Sequence, residues 1–159
     1  MAVVSNHIAG SIVIILTTDG VDIDSVVAVR LALKDIVAKV GVAAPNPDEI
    51  KSSQGLPIMV DYPLPLNEAF EFDAVFVPQS LGIDALCSDS QALEFIQNAY
   101  EAQKVIACSG NGFELIQTAA SLNESPDREL MLKSVINYSN IGNDFFQLLV
   151  DALKARHQL

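Results

Sequence analysis

The chain has 159 residues, half of them hydrophobic, and carries a net charge of −11 from 20 acidic and 9 basic side chains. This length predicts one domain spanning residues 1–159, and no apolar run approaches the ~20 residues that a membrane helix needs. The acidic charge and the lack of any lysine or arginine cluster argue against nucleic-acid binding.

The two cysteines, Cys87 and Cys108, lack the spacing of a disulfide framework or a metal motif. The beginning of the chain shows no basic segment followed by an apolar one, so a secretory signal is not expected. We therefore predict a cytoplasmic protein without a metal site.

The first half of the chain predicts two strands and one helix. Residues 11–17 are an apolar, β-branched run, as in a strand covered on both faces, and residues 37–43 are predicted to form a second strand. Asp24 is a plausible N-cap for the helix between them. Residues 48–68 are rich in proline and irregular, with a short extended piece at 56–60.

The second half predicts further strands and helices in alternation. Residues 73–78 form a compact strand closed by a proline, and Ser88 with Gln91 matches the Ser-x-x-Gln capping box of a following helix. Residues 123–128 look like a polar loop. A last strand at 134–138 and a final helix from Asn143 complete the pattern.

Residues 104–116 form the stretch around which the chain is organised. An apolar run ends in Cys108 and Ser109, a turn with two glycines follows at 110–112, and a helical pattern begins at Phe113. A buried strand that turns sharply into a helix is where α/β folds display a nucleophile or bind an anion. We call this stretch the elbow.

Alternating strands and helices without a repeat or linker predict a single doubly wound, flavodoxin-like α/β domain, with a mostly parallel sheet and helices on both faces. Ligands in such folds bind at the carboxyl ends of the strands. Those ends are residues 17–22, 78–82 and 108–112, so the three loops are expected to share one crevice.

Several motifs in order resemble the C-terminal domain of large-subunit haem catalases. They are Asp19-Gly-Val21, Leu56-Pro57 with Val60-Asp61, Phe72-Asp-Ala-Val-Phe-Val-Pro78, Ala92-Leu-Glu-Phe-Ile96 with Ala99-Tyr100, Lys104-Val-Ile-Ala107, and the Phe145…Arg156-His157 ending. The resemblance covers nearly the whole chain. It does not extend to the haem-binding core, so no catalase activity is expected of this chain.

That catalase domain is similar to the ThiJ/PfpI superfamily, within the class I glutamine amidotransferase-like fold. The resemblance implies a nucleophile at the elbow, which is Ser109 or, with a one-residue slip, Cys108. It also implies an acidic partner at Asp22 and an oxyanion segment at Gln79–Ser80, where the superfamily has Gly-Gly. Where protease-like members have histidine, this chain has Gly110, or Ser109 in the slipped register. Gly110 is also a candidate residue of the oxyanion site or pocket.

The resemblance, together with the departures from the superfamily pattern at the candidate catalytic positions, predicts a non-catalytic domain with a stability, assembly or chaperone-like role. The alternative is a small ThiJ/PfpI-type hydrolase or glyoxalase/deglycase that uses Cys108 or Ser109 with Asp22. Both histidines, His7 and His157, lie near the termini, which argues against a histidine-based triad or metal site. We expect no cofactor, a homo-oligomer, and a catalase core or unfolded client proteins as further partners.

Overall fold

Strands and helices alternate along the computed structural model, which describes residues 8–66, 70–122, 127–139 and 142–157. The strands are β1 (Ile8–Leu16), β2 (Val37–Ala44), β3 (Glu49–Lys51), β4 (Pro57–Met59), β5 (Tyr62–Pro63), β6 (Ala74–Val77), β7 (Val105–Ser109) and β8 (Ile136–Tyr138). The helices are α1 (Ile23–Leu33), α2 (Ile83–Cys87), α3 (Ser90–Glu101), α4 (Phe113–Ala120), α5 (Asp127–Ser134) and α6 (Asn143–His157), with a 3-10 turn at Gly110–Gly112.

Six strands form one parallel sheet in the order β5-β2-β1-β6-β7-β8, and β3 pairs with β4 as a separate antiparallel hairpin. The chain runs outward from β1 to β5, returns to β6 beside β1, and then runs outward to β8. The predicted doubly wound α/β fold is therefore confirmed. The direction of winding reverses between β1 and β6, and ligand sites occur at the carboxyl ends of strands at such a reversal.

The sheet is covered on both faces, as predicted. Successive residues of β1 alternate between two cores: Val13 and Ile15 pack with α1 and α6, whereas Ile14 and Leu16 pack with α2, α3, α4 and α5. All four of these side chains are fully buried. Burial on both faces explains why this strand is uniformly apolar.

Two helix starts differ from the prediction. The N-cap of α1 is Asp22, with φ −71° and ψ 106°, and not Asp24, which lies in the first turn of the helix. The backbone N–H of Asp22 donates to the Gln79 carbonyl oxygen at 2.9 Å. The N-cap of α3 is Asp89, whose carboxylate accepts from the backbone N–H of Ala92 at 2.9 Å. Ser88 is not that cap, because its hydroxyl donates to the Asp84 carbonyl oxygen at the end of α2.

Four elements were not predicted: β3, β5, α2 and α5. Helix α5 begins at Asp127, within the segment predicted as a polar loop, and residues 123–126 of that segment lie outside the described residues. Within the described part of the chain, every helix is too short or too polar to cross a membrane.

Candidate functional site

The three loops predicted to share a crevice do meet at the carboxyl ends of β1, β6 and β7. Val21 forms an isolated β-bridge with Ser80, which holds the loop after β1 against the loop after β6, and a second one with Ser52, just after β3. The backbone N–H of Ser80 in turn donates to Oδ1 of Asn111, in the elbow, at 2.9 Å. These bonds fix the relative positions of the three loops.

The backbone of the elbow turns at Gly110. Ser109 still has the extended conformation of β7, with φ −138° and ψ 149°. Gly110 has φ +53°, in the left-handed region that glycine adopts without steric cost. In a nucleophile elbow the reactive residue occupies the strained strand-to-helix turn. Here the residue at that turn has no side chain.

The surroundings of the elbow also restrict its glycines. A Cβ added at Gly110 would collide with Oε1 of Gln79, and one added at Gly112 would collide with the carbonyl oxygen of Val77. The two glycines allow the elbow to pack directly on the end of β6. A side chain at position 110 would require Gln79 to move.

Cys108 lies inside the sheet's second core. It is fully buried among the side chains that pack under α2, α3, α4 and α5. Its Sγ lies 3.5 Å from Oδ1 of Asn137. Burial raises the pKa of the Cys108 thiol to about 12, so the thiol is protonated at neutral pH. A thiol in this state is neither accessible nor nucleophilic.

Ser109 faces the opposite side of the sheet, because side chains alternate along β7. It lines a cavity of about 390 Å³ together with Asp22, Ser25, Gln79 and Ser139. Ser109 is 3% exposed, and its Oγ has no hydrogen-bond partner among the described residues. Of the two nucleophiles that the sequence offers, only Ser109 faces the crevice.

Asp22 reaches the same cavity from the start of α1. Its Oδ2 accepts a hydrogen bond from the Ser25 hydroxyl at 2.7 Å, and Asp24 also lines the cavity. His7 lies outside the described residues, and for His157 only the backbone at the end of α6 is described. Within the described residues, the polar side chains of the cavity are thus hydroxyls, carboxylates and one amide.

The segment expected to supply an oxyanion site is bonded to the elbow. The backbone N–H of Asn111 donates to Oε1 of Gln79 at 2.6 Å. The Asn111 side chain accepts from the N–H of Ser80 at 2.9 Å and donates to the Ser80 carbonyl oxygen at 2.7 Å. Two backbone donors of the crevice are therefore already occupied by side chains of the protein itself.

Asn111 is the residue of this site that the sequence prediction missed. It lies between two glycines in a turn, and asparagine in turns commonly bonds to nearby backbone groups. That signal indicates a turn but not a partner 31 residues away in the chain. The described residues hold no group of three or more histidine, cysteine, aspartate or glutamate side chains placed to bind a metal ion.

Solved structures that superpose on this chain include ThiJ/PfpI and DJ-1 domain proteins. A ThiJ/PfpI domain protein from Brachyspira murdochii superposes with a TM-score of 0.73 at 18% identity, covering 91% of this chain and 96% of that one. Drosophila melanogaster DJ-1beta gives a TM-score of 0.67 at 17% identity, covering 93% and 94%. A two-domain protein from Anabaena variabilis, with DJ-1/ThiJ/PfpI-like and ferritin-like domains, gives 0.66 at 19% identity, covering 92% and 48%.

No protein-family model matches the sequence, and a search of curated proteins finds no match either. The structural likeness confirms the ThiJ/PfpI-type fold that the sequence resemblance implied. At such low identity the likeness extends to the fold alone. The resemblance to catalase C-terminal domains stays a prediction.

Proposed function

We propose that this chain is a ThiJ/PfpI-type domain that acts by binding and not by nucleophilic catalysis at its elbow. The observation that supports this most is Gly110, which occupies the strained turn where a nucleophile would stand. Without a side chain at that position, covalent chemistry would depend on a neighbouring residue.

The neighbouring residues are poorly placed for that chemistry. Cysteine catalysis requires a thiolate, whereas burial holds the Cys108 thiol in its protonated form. Catalysis also requires free donors for the developing oxyanion, and the N–H groups of Ser80 and Asn111 are already bonded to side chains. Both features support a function that does not involve turnover at the elbow.

A role in stability or assembly accounts for apolar side chains that the fold leaves uncovered. Leu81 is 78% exposed, Met59 75% and Leu31 61%. Exposed apolar side chains mark a surface that meets a partner where they form one contiguous patch. In this role the domain associates with copies of itself or with a larger protein, and the chaperone-like version extends the same binding to unfolded clients.

The proposal is tested by turnover and aggregation assays on the same preparation. We expect no turnover of methylglyoxal or p-nitrophenyl acetate above the buffer rate, and reduced thermal aggregation of a client protein at equimolar ratio. The Cys108→Ala and Ser109→Ala variants should give the same rates as wild type. Turnover that either substitution abolishes would overturn the non-catalytic proposal. If the chain does not reduce the thermal aggregation of the client, the chaperone-like version of the proposal is wrong.

The second candidate function is a hydrolase or glyoxalase that uses Ser109. It is favoured by one observation: the buried Ser109 hydroxyl has no partner among the described residues and shares a cavity with the Asp22 carboxylate. Asp22 would act as the base, although a lone carboxylate is a weak base near neutral pH. This candidate requires that Ser109→Ala and Asp22→Asn each abolish a measurable activity while Cys108→Ala retains it.

A further inference from the structure

A second cavity lies at the other end of the sheet, away from the elbow. Its volume is about 450 Å³, and it lies beside Phe72, just before β6, and Lys104, just before β7. Helix α3 forms its other wall through Gln91, Phe95 and Asn98. We call this cavity the aromatic groove.

Aromatic rings follow one another along the wall of the groove. The ring centroids of Phe70 and Phe72 are 6.4 Å apart, and those of Phe72 and Phe95 are 5.1 Å apart with an interplanar angle of 21°. Phe95 is only 8% exposed and its ring is stacked on that of Phe72, whereas Phe70 and Phe72 are partly exposed. The apolar ring surface left for a further aromatic ring therefore belongs to Phe70 and Phe72. The cavity beside them therefore fits a planar aromatic group.

One cation lies within this aromatic wall. The Lys104 side chain is 12% exposed, and its Nζ lies 5.2 Å from the centre of the Phe72 ring. Its ion-pair partner is Glu71, at 3.7 Å, whose side chain is 89% exposed. An ion pair with so exposed a partner contributes little to stability. A carboxylate entering the groove can replace Glu71 at small cost.

We propose that the aromatic groove binds a small planar aromatic monocarboxylate. The ring lies against Phe70 and Phe72, and the carboxylate pairs with Lys104 in place of Glu71. The amides of Gln91 and Asn98 on the exposed rim of α3 offer further hydrogen bonds. Glu94, also on the rim, disfavours a second negative charge on the ligand.

The test is a titration of the wild-type chain with 2-naphthoate, followed by calorimetry. We expect saturable binding with one site per chain, and about ten-fold weaker binding of the neutral analogue 2-naphthamide, the usual scale of one charge-assisted hydrogen bond. Naphthalene-2,6-dicarboxylate should also bind more weakly than 2-naphthoate. Lack of saturable binding, or equal affinities for the acid and the amide, would overturn the proposal.

Two variants and one control locate the site. Lys104→Met keeps the aliphatic stem but removes the charge, so it should weaken 2-naphthoate binding about ten-fold and leave 2-naphthamide binding unchanged. Lys51→Met is the control, because Lys51 also pairs with an exposed glutamate, at 3.4 Å, but is not among the residues that line the groove. Equal effects of the two lysine substitutions would contradict the assignment.

Asn98→Trp provides a test that does not depend on Lys104. Asn98 is exposed on α3, so a tryptophan there fills the groove without disturbing the core. We expect both ligands to lose binding, and retained binding would place the site elsewhere. Ser109→Ala should leave the affinities unchanged, so the result is independent of whether the elbow is catalytic.

Discussion

Gln79 and Gly110 are in direct contact where the loop after β6 meets the elbow. The Gln79 side chain occupies the space that a Cβ at position 110 would need, and its Oε1 accepts the N–H of Asn111 at 2.6 Å. The two residues therefore depend on each other. Gly110 leaves space for the Gln79 side chain, and that side chain accepts the hydrogen bond of a backbone N–H in the turn. Restoring a side chain at the elbow would require a change at Gln79 as well.

The first prediction concerns Gly110→Ala. We expect it to destabilise the fold by about 1–3 kcal/mol, because alanine must adopt a positive φ and displace Gln79. Gly55→Ala is the matched control, since Gly55 has φ +80° but nothing within 4 Å of an added Cβ. Urea unfolding should show a smaller loss for Gly55→Ala and partial recovery for Gly110→Ala with Gln79→Ala. Equal losses at both glycines would contradict the Gln79 contact.

The second prediction concerns the two buried hydroxyls without a partner among the described residues, Ser109 Oγ and Thr17 Oγ1. A buried hydroxyl that makes no hydrogen bond costs free energy of folding. Ser109→Ala and Thr17→Val should therefore leave the free energy of unfolding unchanged or raise it by up to about 1 kcal/mol. A loss above about 1 kcal/mol in either variant would mean that its hydroxyl is bonded in solution.

The third prediction is a pH dependence from Cys108. Burial raises the pKa of its thiol from 9.0 to about 12, so the folded chain holds this proton more tightly than the unfolded chain does. The resulting stability is fully present below pH 9 and is lost as pH rises through 12. Cys108→Ala should lower stability at pH 7 but give a shallower decline above pH 9, in urea melts compared at each pH. Parallel curves for the two proteins would contradict the buried thiol.

The fourth prediction concerns the rates at which the two cysteine thiols react with a labelling reagent. Cys87 is partly exposed, although burial is the largest cause that raises the pKa of its thiol too. In the native state at pH 8, iodoacetamide should label Cys87 well before Cys108, and both should react after unfolding. Mass spectrometry of the two peptides reads out the order. Faster labelling of Cys108 would revive cysteine chemistry at the elbow.

The fifth prediction concerns Arg156, which joins α6 to the start of β6. Its Nε lies 3.4 Å from Oδ1 of Asp73, and its Nη1 donates to the Gln103 carbonyl oxygen at 2.7 Å. The side chains of Arg156 and Asp73 are 26% and 14% exposed, so solvent screens their ion pair only in part. Arg156→Met should cost about 1–3 kcal/mol of unfolding free energy. Lys154→Met, exposed on the same helix, should change little, and equal effects would argue against the contact.

Much of the fold could be predicted because its central strands are buried on both faces. The apolar runs around Val13, Val42 and Phe76 have that appearance in the sequence. Short elements such as α2 could not be found in this way. The choice between Ser88 and Asp89 as the cap of α3 also depended on α2, which takes up the Ser88 hydroxyl.

The position of the site could be predicted from the sequence, but the roles of its residues could not. The loops holding Asp22, Gln79 and Ser109 were expected together, because parallel strands end at one edge of a sheet. The sequence left open whether Cys108 or Ser109 occupies the nucleophile position of the elbow. The backbone turns one residue later, at Gly110, and the contact of that glycine with Gln79 links residues distant in the chain.

The most direct test of whether the elbow is catalytic is peptide mass spectrometry of the chain after incubation with p-nitrophenyl acetate, acid quenching and digestion. If the elbow holds no active nucleophile, the peptide containing Cys108 and Ser109 should remain unmodified while p-nitrophenol release stays at the buffer rate. An acetyl group on Ser109 or Cys108, formed in the folded wild type and absent from the matching alanine variant, would show that the elbow does hold an active nucleophile.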